Sequence, residues 1–234
     1  MTLLIIGSKG LAPIRSKQVK KFTQCRLMSG RYSITIDAGN TFRYPTNCVL
    51  VTHTHTDHIK MFHTVPLNTP VWIPHKSFIL KLKKLNPRVK FNLIHPGSQT
   101  KFKKFLITPF EVQHSRTTRT FGYRIEAEKK SLVWLPDFRN LIGASFYLRN
   151  LDYLFINASA LHKNIEHKNH EAHGQMAIMN SLAILEKQKI KPKKIYLIHY
   201  GIGLSPISVK TEFVNKQFPQ FDINPTWDGK ILRL

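Results

Sequence analysis

Four side chains that bind metal ions well fall within six residues: His53, His55, Asp57 and His58, in the run His53-Thr54-His55-Thr56-Asp57-His58. Imidazole nitrogens and a carboxylate are suitable ligands for zinc, manganese or iron, and such ions need several donors in one place. A divalent ion held there could polarise a substrate oxygen and supply a nucleophilic water at neutral pH, which is hydrolytic chemistry. Surface histidines of an ordinary loop would not be expected to gather at this density behind an apolar strand.

The run Val49-Leu50-Val51-Thr52 that precedes the cluster reads as a buried strand. Alternation in an extended stretch points His53 and His55 to one side, and a tight turn into a helix can bring Asp57 and His58 back toward that point. Similar β-branched or aromatic runs recur at Ser33–Ile36, Cys48–Thr52, Val71–Ile73, Phe105–Phe110, Phe121–Ile125, Leu132–Leu135 and Tyr153–Ile156, and they predict strands. Ile178, Met179, Leu182 and Leu185 share one helical face, with Asn180 and Lys187 opposite, which predicts an amphipathic helix. A strand over Lys193–Ile198 follows, then a closing helix opened by Ser205-Pro206, and a further helix is expected over Ser77–Leu85. The class is α/β.

At 234 residues and 42% hydrophobic composition, the chain suits one folded domain over 1–234 and excludes a disordered one. Met1 to Gly7 is too short for a signal segment or a membrane span, so a cytoplasmic location away from membranes is expected. Two cysteines, Cys25 and Cys48, fall short of a disulfide scaffold. Thirty-six Lys and Arg against 13 Asp and Glu leave a net charge of +23, with clusters at Arg15/Lys17/Lys20/Lys21, Lys101/Lys103/Lys104 and Lys187–Lys194. Such a surface attracts polyanions, nucleic acid among them, or serves solubility alone.

The HxHxDH pattern of His53 to His58 resembles the signature of the metallo-β-lactamase fold hydrolases. That family's other motifs have counterparts in order: Asp37 in Ile36-Asp37-Ala38-Gly39, His114 in Gln113-His114-Ser115, Asp137 in Leu135-Pro136-Asp137 and His199 in Ile198-His199-Tyr200. The resemblance implies a four-layer αββα sandwich. It assigns His53, His55 and His114 to one divalent ion, Asp57, His58 and His199 to another, Asp137 as the bridge and Asp37 as a residue orienting the ligands. Zinc is the preferred metal, with manganese or iron as alternatives.

The stretch from His114 through Thr120-Phe121-Gly122-Tyr123 to Asp137, and on through Asn169-His170 to His199, is similar to the phosphoribosyl cyclic phosphodiesterase branch. It implies hydrolysis of cyclic ribose or nucleotide phosphates. Asp57 or Asp137 would steer the water, Arg116 and Arg119 would clamp phosphate, and His173 or His170 would protonate the leaving group, His173 being preferred. The branch's cysteine-rich structural zinc site has only Cys25 as a counterpart between Gly10 and Met28, which leaves the substrate and any homodimer contacts open. In tRNA 3′-processing endonucleases, whose signature is commonly followed by Gly-Leu-like residues, the match is weaker because Ile59-Lys60-Met61-Phe62 follows here. Alternatives are a metal-dependent nuclease of RNA or single-stranded DNA, an inactive nucleic-acid-binding member, and a hydrolase of lactones or thioesters.

Overall fold

The computed structural model describes residues 1–10, 18–116, 118–141, 143–162, 165–166, 174–201 and 207–234. One sheet is built largely from the first third of the chain: β1 (Thr2–Gly7), β2 (Gln24–Ser29), β3 (Tyr32–Ile36), β4 (Cys48–Leu50), β5 (Val71–Ile73) and β6 (Phe91–Leu93). A second sheet starts with β7 (Thr100–Phe102), β8 (Phe105–Val112), β9 (Thr120–Ala127), β10 (Lys130–Leu135) and β11 (Tyr153–Asn157). After a two-stranded ribbon, β12 (Ile165–Glu166) and β13 (Gly174–Gln175), it is completed by β14 (Lys194–Ile198) and β15 (Ile223–Pro225). The last strand, β16 (Ile231–Arg233), returns to the first sheet, whose order is β16-β1-β2-β3-β4-β5-β6; the second runs β15-β14-β11-β10-β9-β8-β7.

Both sheets pass from antiparallel hairpins to parallel strands. β1, β2 and β3 pair antiparallel and β3 to β6 parallel, while β7 to β10 pair antiparallel and β10, β11, β14 and β15 parallel. Parallel neighbours need crossover connections, and that is where the helices lie. In chain order these are α1 (Thr56–Ile59), α2 (Phe78–Leu85), α3 (Ile178–Lys187) and α4 (Ile207–Gln217).

The parallel strands are buried on both faces, which is why they read as continuous apolar runs. In β4, Cys48 and Leu50 face the other sheet, while Val49 packs with Ile59, Phe62, Phe78 and Leu82 on the α1 and α2 side. In β10, Leu132 and Trp134 point between the sheets, and Val133 and Leu135 join Ile178, Leu182 and Leu185 of α3 and Val214 of α4. Helices on one outer face, two sheets and helices on the other outer face make the four-layer αββα sandwich. Cys25 and Cys48 are free thiols in the central layer. Among the described residues no helix is long and apolar enough to cross a membrane.

Three details differ from the sequence expectations. The strand expected over Cys48–Thr52 ends at Leu50, because the Thr52 N–H donates to the Asp37 carboxylate at 2.8 Å rather than to a neighbouring strand. The helix expected from Ser77 starts at Phe78, and Ser77 makes no side-chain cap. Residues 24–29, which the sequence reading did not assign to a strand, form β2 with Cys25 and Leu27 turned into the core. The Ser205-Pro206 cap lies outside the described residues.

Phe155 sits in the central layer, its ring 5.0 Å from Tyr196 and 5.6 Å from Trp134. Phe155→Ala should therefore cost about 3–5 kcal/mol in urea unfolding. Leu80→Ala, at a position 71% exposed on α2, should change stability by no more than about 0.5 kcal/mol.

Candidate metal centre

Five side chains of the centre leave the C-terminal end of a strand or the turn just after it. Asp37 follows β3, His53 follows β4, His114 follows β8, Asp137 follows β10 and His199 follows β14. Two of these positions carry backbone conformations that L-residues seldom adopt: φ is 64° at Asp37 and 57° at His199. Such strain costs of order 1–3 kcal/mol and persists only where the surroundings enforce it. Here the Asp37 N–H is held by Leu50 O at 2.8 Å, and the Tyr200 N–H after His199 by Ser8 O at 2.7 Å.

The short α1 turn brings Asp57 and His58 back over the strand ends. The His58 and Ile59 N–H groups bond to His55 O at 3.0 and 3.2 Å, while His58 O accepts the Ala38 N–H at 2.6 Å. Gly39 allows this approach, since a Cβ there would lie 2.4 Å from Asp57 O.

Two donor groups result, each able to hold one ion: His53, His55, His114 and Asp137, and Asp57, His58, Asp137 and His199. In the first, His53 Nε2 lies 3.0 Å from His55 Nδ1, His114 Nε2 lies 3.1 Å from His55 Nδ1, and Asp137 Oδ2 is 3.2 Å from His53 Nε2 and 3.8 Å from His114 Nε2. In the second, His199 Nε2 lies 3.1 Å from both His58 Nε2 and Asp57 Oδ2, and Asp137 Oδ2 is 3.1 Å from His58 Nε2. Four donors at about 2.0–2.1 Å around a tetrahedral zinc stand about 3.3 Å apart, so the spacing fits that ion. All these side chains are buried except His55, which is half-buried.

Their surroundings fix their charge. Burial, with His58 adding for His53 and His114 for His55, presses both imidazoles toward the neutral form, His55 down to about 3. Burial also opposes charge on His58, but the Asp57 and Asp37 carboxylates outweigh it and lift its pKa well above the ordinary value. Burial disfavours ionised Asp57 and Asp137, yet the histidines around them hold both well below the usual carboxylate range.

A second ring of contacts aims the donors. Asp37 Oδ2 is 2.7 Å from His58 Nδ1, and Asp37 also accepts the Thr52 hydroxyl at 2.9 Å. Ser159 Oγ is 2.9 Å from His199 Nδ1, and its own hydroxyl donates to Asn157 Oδ1. Gly10 backs the His199 ring so closely that a Cβ would stand 2.7 Å from its Cε1. The Gly10 loop is held in turn by Asp228, which accepts the Ser8 N–H at 3.1 Å and the Lys20 and Lys21 N–H groups at 2.8 Å each. Thr52, Ser159, Asn157, Gly10 and Asp228 carry no local sequence signal; only Thr52 borders the motif.

The other residues singled out in the sequence are placed as follows. Arg116 and Arg119 are exposed on the loop beyond His114, and Arg119 Nε donates to Glu111 Oε1 at 2.6 Å. Arg119 is thus engaged by a carboxylate instead of being presented alone. His170 and His173 lie outside the described residues. Ser159→Ala removes one of the partners of His199 Nδ1, the other being Asp137 Oδ1 at 3.2 Å, and should lower zinc affinity about 10–100-fold, as read by competition with a chromophoric chelator.

Comparison with known proteins agrees with this fold. The family model for the Beta-lactamase superfamily domain matches residues 38–200. No curated protein matches the chain. Among solved structures, the metallo-beta-lactamase fold protein YhfI from Bacillus subtilis is 18% identical, covers 99% of this chain and 98% of its own, and gives a TM-score of 0.74. Zn(2+)-bound PqqB from Methylobacterium extorquens is 14% identical over 100% of both chains, with a TM-score of 0.74. A new diphosphatase from the PhnP family is 24% identical over 100% of this chain and 97% of its own, with a TM-score of 0.73. At such identities the structures share a fold. The family match spans most of the chain and contains the donors from His53 to His199, and on that ground the protein belongs to the beta-lactamase superfamily.

Proposed function

We propose that this protein is a two-metal hydrolase of phosphodiesters, acting on cyclic ribose or nucleotide phosphates. The observation that carries the reading is the position of Asp137: one oxygen, Oδ2, lies 3.2 Å from His53 Nε2 and 3.1 Å from His58 Nε2, between the two donor groups. His53, His55 and His114 would hold one divalent ion and Asp57, His58 and His199 the other, with Asp137 shared. Zinc suits this imidazole and carboxylate set best; manganese or iron are the alternatives. Bound ions would supply an activated water and offset the charge on the phosphoryl oxygens.

The chain's own residues do the rest. Asp37 and Ser159 face His58 and His199, and Asp57 would steer the attacking water. Arg116 would draw the phosphate toward the His114 side, with Arg119 moderated by Glu111. His173, or His170 beside it, would protonate the departing alkoxide. Phosphodiesters are favoured over lactones and thioesters by the net charge of +23 and by the resemblance of the segment from His114 to Asp137 to cyclic phosphodiesterases. The PhnP-family diphosphatase with the same fold supports that choice. A nuclease is the second reading. It is favoured by exposed cations in one region, namely Lys81, Lys83 and Lys84 of α2 with Arg88 and Lys90 after it, and it would show binding that weakens steeply with salt.

Zinc-loaded protein should hydrolyse bis-p-nitrophenyl phosphate, and His55→Ala should lower this by about 100-fold or more. Unchanged turnover in that variant would refute the reading. His173→Ala should barely affect the same substrate, whose leaving group needs no proton, yet slow 2′,3′-cyclic nucleotide hydrolysis by about 10²–10⁴-fold. If His170→Ala shows this split instead, His170 is the acid.

A further inference from the structure

Three hairpin turns meet at the end of the sandwich opposite the metal centre. Gly30-Arg31 joins β2 to β3, Lys103-Lys104 joins β7 to β8, and Glu128-Lys129 joins β9 to β10. The strands leaving these turns, β3, β8 and β10, are the ones whose far ends deliver Asp37, His114 and Asp137. At about 3.3 Å per residue, these strands set the turns about 20 Å from the donors.

The turns carry cations where the backbone does not favour them. Two-residue hairpin loops take Asn-Gly or Asp-Gly because positive φ strains those residues least. Here φ is 55° at Lys103, 51° at Glu128 and 60° at Lys129. Glu128 has a structural use, since it binds the N-terminal ammonium and accepts the Ser29 hydroxyl at 2.6 Å. The neighbouring acids are also engaged, Glu126 by Arg124 at 2.8 Å and Asp152 by Lys193 at 2.8 Å. Among the described residues Arg31, Lys103, Lys104 and Lys129 form no ion pair. Lys83, Lys84 and Lys187, in the last turns of α2 and α3, complement helix dipoles. The turn cations lack that explanation.

These charges form one surface across both sheets. Lys104 Nζ would stand 3.3 Å from a Cβ at Gly30, and Lys103 Nζ lies 5.8 Å from the centre of the Tyr32 ring, which the Arg31 guanidinium approaches at 5.1 Å. A hydrogen bond from Arg31, with the positive charge of Arg31, Lys103 and Lys104, pulls the Tyr32 phenol pKa down. A groove of about 540 Å³ continues the surface, with Lys104, Lys129, Lys130 and Asn150 on its wall; its acids, Glu126, Glu128 and Asp152, are those already engaged. None of the large apolar side chains exposed among the described residues lies on these turns. Membrane insertion and protein partners rely on such anchors, whereas nucleic-acid interfaces are polar and strongly positive.

We propose that this end of the sandwich docks the phosphate backbone of a nucleic-acid strand through Arg31, Lys103, Lys104 and Lys129. The surface is separate from the metal centre and does not depend on the phosphodiesterase reading, since a mononucleotide held by the metals does not span the distance.

The test is fluorescence anisotropy of a labelled oligothymidylate of about 20 nucleotides with zinc-loaded protein over a range of salt, the probe being checked for integrity on a gel. Wild-type binding should weaken steeply with salt. Replacing Arg31, Lys103, Lys104 and Lys129 together by Gln should weaken binding about tenfold or more and make the slope of log affinity against log salt shallower by about 2–3. Lys103→Arg with Lys104→Arg should retain wild-type binding. Lys20→Gln with Lys21→Gln, which removes exposed charge beside the Gly10 loop at the metal end, should have little effect. Binding that survives the fourfold variant, or that is lost equally in the Lys20/Lys21 variant, would overturn the proposal. So would displacement of the probe by polyglutamate at equal charge, or equal affinity for phosphatidylserine vesicles, which would assign the surface to acidic protein or lipid. An unchanged urea midpoint shows that the fourfold variant is folded. Absence of bis-p-nitrophenyl phosphate turnover in wild type counts against the reaction alone, and leaves the binding result to decide the surface.

Discussion

Three buried carboxylates, Asp37, Asp57 and Asp137, and the imidazoles of five histidines meet where the two sheets end. Polar groups removed from water in this way cost free energy unless each finds a partner of opposite character. The architecture meets that constraint by giving each group a defined position. Asp37 takes the Thr52 N–H and hydroxyl and faces His58 Nδ1; Ser159 faces His199 Nδ1; the remaining donors converge on two points that share Asp137. Cations at those points would satisfy them together, so metal binding and the local fold are coupled.

The scaffold explains why convergence is achievable. Strands buried on both faces cannot shift register without exposing apolar side chains, so their C-terminal ends are fixed platforms. β3 and β4 deliver Asp37 and His53 from one sheet, and β8, β10 and β14 deliver His114, Asp137 and His199 from the other. The inter-sheet layer of Ile34, Ile36, Leu50, Tyr123, Trp134 and Phe155 holds the two platforms together. The positive φ at Asp37 and His199 is strain that this packing enforces.

Much of this was legible in the amino-acid order because the donors are local or follow apolar runs. The HxHxDH run announces itself, and the strands before Asp37, His114, Asp137 and His199 are β-branched and aromatic. What could not be read is what depends on distant backbone. Ser159, 40 residues from His199, and Asp228, 220 residues from Ser8, reach their partners only through sheet order. The edge strands β6 and β7 were missed because they are three residues long and partly polar. The pairing of Arg119 with Glu111 depends on the β8–β9 hairpin, which sets Glu111 opposite Phe121. The net charge of +23 points to anionic partners but does not say which.

The central claim is that one shared carboxylate organises two ions, and metal stoichiometry tests it most directly. Elemental analysis of protein equilibrated with zinc and desalted should find about two ions per chain in wild type, as expected for donor groups of this kind. Asp137→Asn should lower retention at both points, because both groups use the same oxygen. A wild-type content of one ion or fewer, or an Asp137→Asn variant that keeps both ions, would contradict the account.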